Sequence, residues 1–471
     1  MGKHILYRTN KRVIVMCGIN AVISGKKEQA VKMFEASSRR GVKENLVDCG
    51  GAYVYFDWLP ITDANVQEQP FTYDGHIVFL NGYISNYKEL SEKYSIKLNS
   101  ECDTELLVKF LGEFGWSKVD ELNGFFAVLW FDGVRWKTFT DRYGIKKLYK
   151  YTNDQGATFI ASEVKSILAV CPEIKINENA LNEFHCSLGV LNKDSIYNGI
   201  QRVQKLKFPN IKKQGISYNE AKDELKRLFI QSIERNKTDL NDCVFLSGGI
   251  DSGIIANHIN PKYCFSMDYV DKKYSEIDNI KLNSKGKHIS IVCNKELFDE
   301  YSKRLVDCLD DPKVGSSYTN LALTELASKF CTVIYSGAGG DEFFGGYPHR
   351  NNKGLKDVID RTGVEVRHSF ECESRFDYDL KFLAGVLNVE DSIGGYYTME
   401  TRYPLLDNDL VNFALSLPEE YLKDKRILKD ISGLNEKVLK GKKKGFSNPY
   451  MNNKEWSEFI IYKIKKKYGY I

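Results

Sequence analysis

Two kinds of hydrophobic patterning divide this chain. Up to about residue 205, short runs rich in β-branched and aromatic residues recur, among them "GAYVYFDWLPI", "GHIVFLNGYI", "GFFAVLWFDG" and "ATFIAS". Turn-forming pieces such as "YDGH" and "FDGV" separate or follow them, which predicts layered antiparallel sheet. Apolar residues at helical spacing add helices near residues 27–38 and 103–114.

Farther along the pattern changes. "SYNEAKDELKRLFIQSIERN" has apolar residues at helical spacing behind a serine cap with a glutamate three residues on. "DCVFLSGGIDSGIIANHI" reads as a buried strand, a Gly-Gly turn and a helix, and "CTVIYSGAGGDEFFGGY" as a second strand–loop unit. Strands alternating with helices predict a parallel α/β sheet. The change falls near residues 205–220. It gives a first domain over 16–210 and a second over 215–471, with 1–15 as an extension.

Composition narrows the picture only a little. A chain of 471 residues exceeds one ordinary domain, and 42% hydrophobic with 28% charged residues is the balance of a soluble globular protein. The net charge of +4 demands neither nucleic acid nor membrane as a partner, and no run of eighteen apolar residues is present. Eleven cysteines, an odd number without repeated C-x-x-C or Cys/His spacing, argue against a disulfide framework or a zinc site. A reducing, cytoplasmic setting is the simplest expectation. The opening "MGKHILYRTNKRVIV" lacks the apolar core and cleavage site of a signal peptide.

The candidate chemistry of the second half begins at Ser247-Gly248-Gly249-Ile250-Asp251-Ser252, directly after an apolar strand. Glycines let backbone N–H groups approach an anion, and a helix starting at Asp251 or Ser252 points its positive end at the same place. The hydroxyls can donate to phosphate oxygens, and Asp251 can hold Mg²⁺. There is no G-x-x-x-x-G-K-[ST] anywhere, so this is not a Walker loop. Asp341 ends the second strand–loop unit. If the two strands are parallel neighbours, Asp251 and Asp341 leave the sheet at the same carboxyl edge, where such sheets bind ligands.

With "FLSGGIDS", "YSGAGGDEFFGGY", "METRYPLLD" and "KKKGFSNP" in that order, the second half resembles the PP-loop ATP pyrophosphatases and, more closely, the asparagine synthetase family. The resemblance implies a doubly wound parallel-sheet domain in which ATP is cleaved to AMP and pyrophosphate. A substrate carboxylate, aspartate in the reference member, becomes an acyl-adenylate that an amine then takes. It implies that Ser247, Gly248, Gly249 and Ser252 hold pyrophosphate and that Asp251 and Asp341 hold Mg²⁺. Ser336, Gly337 and the backbone near Met267 would line the adenosine. Lys443 would neutralise charge on the α-phosphate, an assignment that Lys442 and Lys444 leave open by one residue. Glu342, Tyr347, Glu400 and Arg402 also match family positions. One departure matters: the family's S-G-E-G has Ala338 in place of its glutamate, and alanine cannot take a proton. Glu400 is the candidate to act in its place, unless the second substrate differs.

The first half, from "MCGI" through "DRYGIKKLY" and "ASEVKSIL", resembles the class II glutamine amidotransferases, whose fold is a four-layer αββα arrangement. These use an N-terminal cysteine whose own α-amino group is the base, with a pKa suited to neutral pH. The resemblance therefore makes Cys17 the nucleophile only if it becomes residue one, by translation from Met16 with methionine removal or by loss of a propeptide. Asn81 and Gly82 match the oxyanion hole, and Asp103 the carboxylate that holds the glutamine α-ammonium. Read by themselves, Asn81-Gly82 is also a turn and Asp103 a helix cap.

Two departures weaken the grip on glutamine. Tyr83 stands where the family has Glu after Asn-Gly, and Trp58-Leu59-Pro60-Ile61 replaces an Arg-Leu-x-Ile whose arginine binds the α-carboxylate. Losing that charged pair costs about 1.5–3 kcal/mol, roughly tenfold to a hundredfold in affinity. Either glutamine binds weakly, or another amide is the donor, or Arg39 or Arg40 serves instead. The leading expectation is a glutamine-hydrolysing synthetase that sends ammonia internally to the second site. A glutamine-independent, amine-using or ring-closing synthetase and a decayed ATP-binding protein are the alternatives. Family members are often homodimers.

Overall fold

The computed structural model describes residues 17–37, 43–58, 68–187, 195–203, 208–238, 240, 242–311, 317–347, 374–441 and 449–471. The first half forms two antiparallel sheets. Its strands are β1 (Gly18–Ile23), β2 (Lys43–Asp48), β3 (Ala52–Trp58), β4 (Phe71–Tyr73), β5 (His76–Ile84), β6 (Gly124–Phe131), β7 (Trp136–Thr140), β8 (Tyr149–Thr152), β9 (Thr158–Ala161) and β10 (Gln201–Arg202). One sheet has the order β10-β8-β9-β1-β3-β2 and the other β4-β5-β6-β7.

Alternation of side chains gives each sheet two apolar faces. Ile19, Ala21, Val54 and Phe56 of the larger sheet meet Phe79, Ala127 and Leu129 of the smaller one. Outside, Val22 and Phe159 cover the helices Lys27–Ala36 and Val164–Val170 through Ala30, Met33, Val164 and Ile167. Val78, Leu80 and Val128 cover the helix Asp103–Phe114 through Leu106, Leu107 and Phe110. The result is the expected four layers, helix–sheet–sheet–helix.

The second half adds β11 (Cys243–Phe245), β12 (Tyr263–Tyr269), β13 (Lys287–Cys293), β14 (Val333–Tyr335) and β15 (Glu400–Arg402). They form one parallel sheet in the order β13-β12-β11-β14-β15. The winding reverses between β11 and β14, so their carboxyl ends flank the crevice where a doubly wound sheet binds ligands. Ser217 caps the helix Tyr218–Asn236 and forms the expected capping box with Glu220.

The halves share buried side chains. Tyr83, Phe125, Tyr143 and Ile145 of the first pack in one cluster with Leu228, Tyr335, Tyr403 and Leu406 of the second. Polar contacts fix the pairing: Lys146 with Asp391 at 3.2 Å, both nearly sealed from water, and Asn388 Nδ2 donating to the Gly144 carbonyl at 2.9 Å. Asn388 and Asp391 lie on the long helix Arg375–Tyr397. Among the described residues no helix is long and apolar enough to cross a membrane.

Candidate active sites

Cys17 stands immediately before β1, half-buried against the apolar layer between the sheets. Two residues on, the Ile19 N–H donates to Ser162 Oγ at 3.0 Å, and Asn81 Nδ2 reaches the same oxygen at 3.5 Å. Ser162 thus ties the start of β1 to the middle of β5 in the opposite sheet. Its role is invisible in the sequence, because the partners lie 143 and 81 residues away. The Asn81 side chain is fully buried, and its Oδ1 has no hydrogen-bond partner. An amide left this way is costly in a sheet core, which favours a polar ligand arriving beside it. Gly82 has φ +115°, and a Cβ there would lie 2.0 Å from the Phe125 carbonyl oxygen. Only glycine fits, so the Asn-Gly pair is a kink within β5 and not the end of a strand.

Asp103 occupies the first turn of its helix, where the cap position itself belongs to Cys102. Its Oδ2 accepts the Ile84 N–H at 2.7 Å, joining the helix to β5 two residues past Gly82. Burial pushes its pKa up to about 6, against the pull of that hydrogen bond, so the carboxyl is ionised at neutral pH. Tyr83 turns to the other half of the molecule: its hydroxyl donates to Asn236 Oδ1 at 2.5 Å, and the Arg402 guanidinium lies 4.0 Å over its ring. The side chain of Trp58, and all of Leu59, Pro60, Ile61, Arg39 and Arg40, fall outside the described residues.

In the second half, the loop after β11 closes on its own hydroxyls. Ser247 N donates to Ser252 Oγ at 2.9 Å, and Gly249 N to Ser247 Oγ at 3.1 Å. Gly248 N donates to Glu276 Oε2 at 3.3 Å. The following helix starts at Ile250, one residue earlier than its sequence suggests, with Gly249 at the cap. Asp251 therefore lies inside its first turn. β14 runs parallel beside β11, with Val244 opposite Tyr335, and delivers Ser336, Gly337 and Asp341 to the same edge. A Cβ on Gly337 would sit 2.6 Å from Ser252 N, and one on Gly340 2.1 Å from Asp251 Oδ1, so the two loops interlock. Met267 is buried near the carboxyl end of β12, the strand paired with β11 on its other side.

The two aspartates converge on one cation. Lys425 Nζ is 2.6 and 2.5 Å from the Asp251 oxygens and 2.6 Å from Asp341 Oδ1, with all three side chains largely buried. Both Asp424 (φ 55°) and Lys425 (φ 59°) adopt left-handed backbone, an arrangement that costs these residues about 1–3 kcal/mol each. The two ion pairs offset that strain. Lys425 went unrecognised in the sequence because it lies 174 residues from Asp251 in a lysine-rich segment. A pair of carboxylates that gathers a cation between them is the hard-oxygen donor set suited to Mg²⁺ beside phosphate.

Glu342 accepts from the Tyr347 hydroxyl at 2.7 Å. Glu400 does not suit the acid–base role expected of it. It begins β15 opposite Val333, at the amino end of the strand pair, whereas the phosphate loops leave the carboxyl ends. Its Oε1 also accepts from Arg402 Nε at 2.8 Å, and Arg402 Nη1 donates to the Asn236 carbonyl at 2.8 Å. Lys442, Lys443 and Lys444 lie outside the described residues.

Comparison with known proteins completes the picture. A glutamine amidotransferase domain profile matches residues 16–222, and an asparagine synthase profile matches 224–365 and 364–461. A Methanocaldococcus jannaschii protein provisionally named asparagine synthetase [glutamine-hydrolyzing] 2 is 30% identical over 73% of this chain and 78% of its own length. Asparagine synthetase [glutamine-hydrolyzing] 1 of Bacillus subtilis is 29% identical over 62% of this chain and 51% of its own. Among solved structures, the glutamine phosphoribosylpyrophosphate amidotransferase of B. subtilis shares 12% identity over 69% of this chain and 77% of its own, with a TM-score of 0.30. With both profiles in order along one chain, this protein belongs to the asparagine synthetase family and is an amidotransferase ligase.

Proposed function

We propose that this enzyme hydrolyses glutamine at Cys17 and passes the ammonia internally to an acyl-adenylate formed from ATP and a carboxylate, aspartate or a close relative, at the Asp251/Asp341 edge. The family is ATP-dependent. The observation that supports the reading is the closeness of the two sites, whose flanking side chains pack directly against one another. Tyr83, next to Gly82, meets Phe125 edge-on at 5.7 Å, and Phe125 meets Tyr403 edge-on at 5.5 Å. Tyr403 directly follows β15 beside the Ser336 loop.

In the first site the Cys17 thiolate attacks the amide carbonyl, with the α-amino group, once exposed, taking the thiol proton. Asn81 Nδ2–H, turned from its long contact with Ser162 Oγ, and the Gly82 N–H stabilise the developing oxyanion, a contribution of about 3–4 kcal/mol per donor where measured, while Asn81 Oδ1 is left to accept from the substrate. Asp103, ionised above about pH 6, attracts the substrate ammonium. In the second site the Ser247–Ser252 loop exchanges its internal hydrogen bonds for phosphate oxygens, and Lys425 keeps the carboxylate pair from repelling the incoming anion. Asp251 and Asp341 would hold Mg²⁺, which supplies charge neutralisation on the phosphates. Lys443 would do the same at the α-phosphate.

The test is direct. The chain begun at Met16, with Cys17 exposed as verified by mass, is mixed with Mg-ATP, aspartate and amide-¹⁵N glutamine. AMP and labelled asparagine should appear together. Glutamine hydrolysis without AMP would sink aspartate as the acceptor. A second reading, use of ammonia or a substrate amine without glutamine, is favoured by Tyr83, whose side chain serves the domain contact in place of an amino-acid grip. Equal rates with and without glutamine in ammonium-free buffer containing an amine substrate would support it.

A further inference from the structure

Amide formation on an acyl-adenylate frees a proton from the attacking nitrogen, and Ala338, at the position expected to take it, carries only a methyl. The loop's own carboxylates are engaged, Asp341 with Lys425 and Glu342 with the Tyr347 hydroxyl. A carboxyl does reach that loop from elsewhere. Glu390 projects from the long helix Arg375–Tyr397, and its Oε2 is sealed from water without a hydrogen-bond partner. The Ser336 and Tyr403 hydroxyls face the carboxyl and draw its pKa down, but burial outweighs them and lifts it to about 7. Ser336 Oγ also accepts the Ala338 N–H at 3.4 Å, so Glu390 and Ala338 flank the same hydroxyl. The other titratable groups nearby are turned elsewhere: Asp391 to Lys146, and Glu400 to Arg402. A helix that is held at Asn388, Asp391 and Ser392 by the first half has little freedom to move this carboxyl away.

We propose that Glu390 is the proton acceptor for the nitrogen nucleophile of the synthetase site. The assignment rests on the acyl-adenylate reading above. The nitrogen lone pair forms the C–N bond at the acyl carbon, the proton passes from nitrogen to Glu390 Oε2, and the bond from carbon to the phosphate oxygen breaks as AMP leaves. No oxidant or further reactant is needed. The group matches its task, because a base works best when its pKa lies near the operating pH. The Oε2 atom, sealed from water without a hydrogen-bond partner, is the one positioned to accept a proton.

The experiment separates adenylation from capture. Using the full chain with aspartate, ATP–pyrophosphate exchange reads the first step. Ammonium chloride then serves as a nucleophile that must lose a proton to a base, and hydroxylamine as one that captures acyl-adenylates with little such help. Glu390→Gln should retain exchange and hydroxamate formation within about threefold while asparagine formation from ammonium falls about 100-fold or more. At a fixed concentration of free NH₃, the rise of the wild-type rate with pH through about 7 should vanish in this variant. Glu390→Asp should recover part of the rate and keeps the test available if the glutamine variant misfolds. An ammonium rate within threefold of wild type in Glu390→Gln, or a parallel loss of exchange, overturns the assignment. Absence of exchange in the wild-type enzyme overturns the adenylation of aspartate itself.

Discussion

The two sites of this enzyme store their readiness in opposite ways. The amide site is built into the middle of a sheet sandwich and leaves a polar atom waiting: Asn81 Oδ1 is buried without a partner beside a glycine that tolerates no side chain. The phosphate-binding loops of the other keep their groups occupied, and the orphaned Glu390 Oε2 beside them belongs to a helix. Ser247 and Ser252 bond to each other, and Lys425 binds both aspartates. A site rigidly held by strands can carry an unsatisfied group, because the fold leaves it nowhere else to turn. A site made of two loops would collapse around such a group, so it holds internal partners that a ligand displaces.

The contrast is sharpened most by Cys17→Ala. Glutamine-dependent synthesis should fall at least about 1,000-fold while the ammonium-dependent rate stays near wild type, as measured by AMP release with each nitrogen source. Loss of both would mean that the sites are not separable. Lys425→Met comes next. It leaves two buried carboxylates facing each other, which should cost about 3–5 kcal/mol by chemical denaturation and abolish pyrophosphate exchange, with glutaminase activity retained in the folded fraction. Gly82→Ala should cost about 2–4 kcal/mol, because its methyl meets a backbone carbonyl that cannot move aside. If the phosphate site were the rigid one, the ordering of these two losses would reverse.

A smaller effect concerns pH. Asp103 has its folded pKa raised above its unfolded value, so its protonated form contributes stability that is complete below about pH 4 and lost as pH rises through about 6. Asp103→Asn removes that dependence. The Tm of wild type should therefore fall relative to the variant between pH 4 and pH 6.5, and a flat difference would place the ionised carboxyl in water. Least of all, Tyr83→Phe deletes one hydrogen bond across the domain contact, worth about 1 kcal/mol. It should raise the fraction of glutamine hydrolysed without AMP formation.

What could be read from the residues alone follows the same division. Strands such as "GHIVFLNGYI" and the serine–glycine loop after β11 announce themselves because pattern and chemistry are contiguous. Ser162, Lys425 and Glu390 do not, since each acquires its partners through packing across the chain, and although Ser162 lies within "ASEVKSIL" that segment names no role for it. Glu400 illustrates the converse: its match to a family position suggested reactivity, whereas the structure places it at the amino end of β15 in a buried ion pair. Tyr83 looked like a defect in a binding motif, whereas its ring belongs to the contact between the halves.

The long helix Arg375–Tyr397 carries Asn388 and Asp391, which grip the first half, and Glu390 between them. At 1.5 Å of rise per residue these groups share less than a single turn. Such a short span leaves no slack, so the Glu390 carboxyl and the loop from Gly144 to Lys147 are fixed relative to each other. The boundary between the halves is therefore also the mount of a group beside the second site.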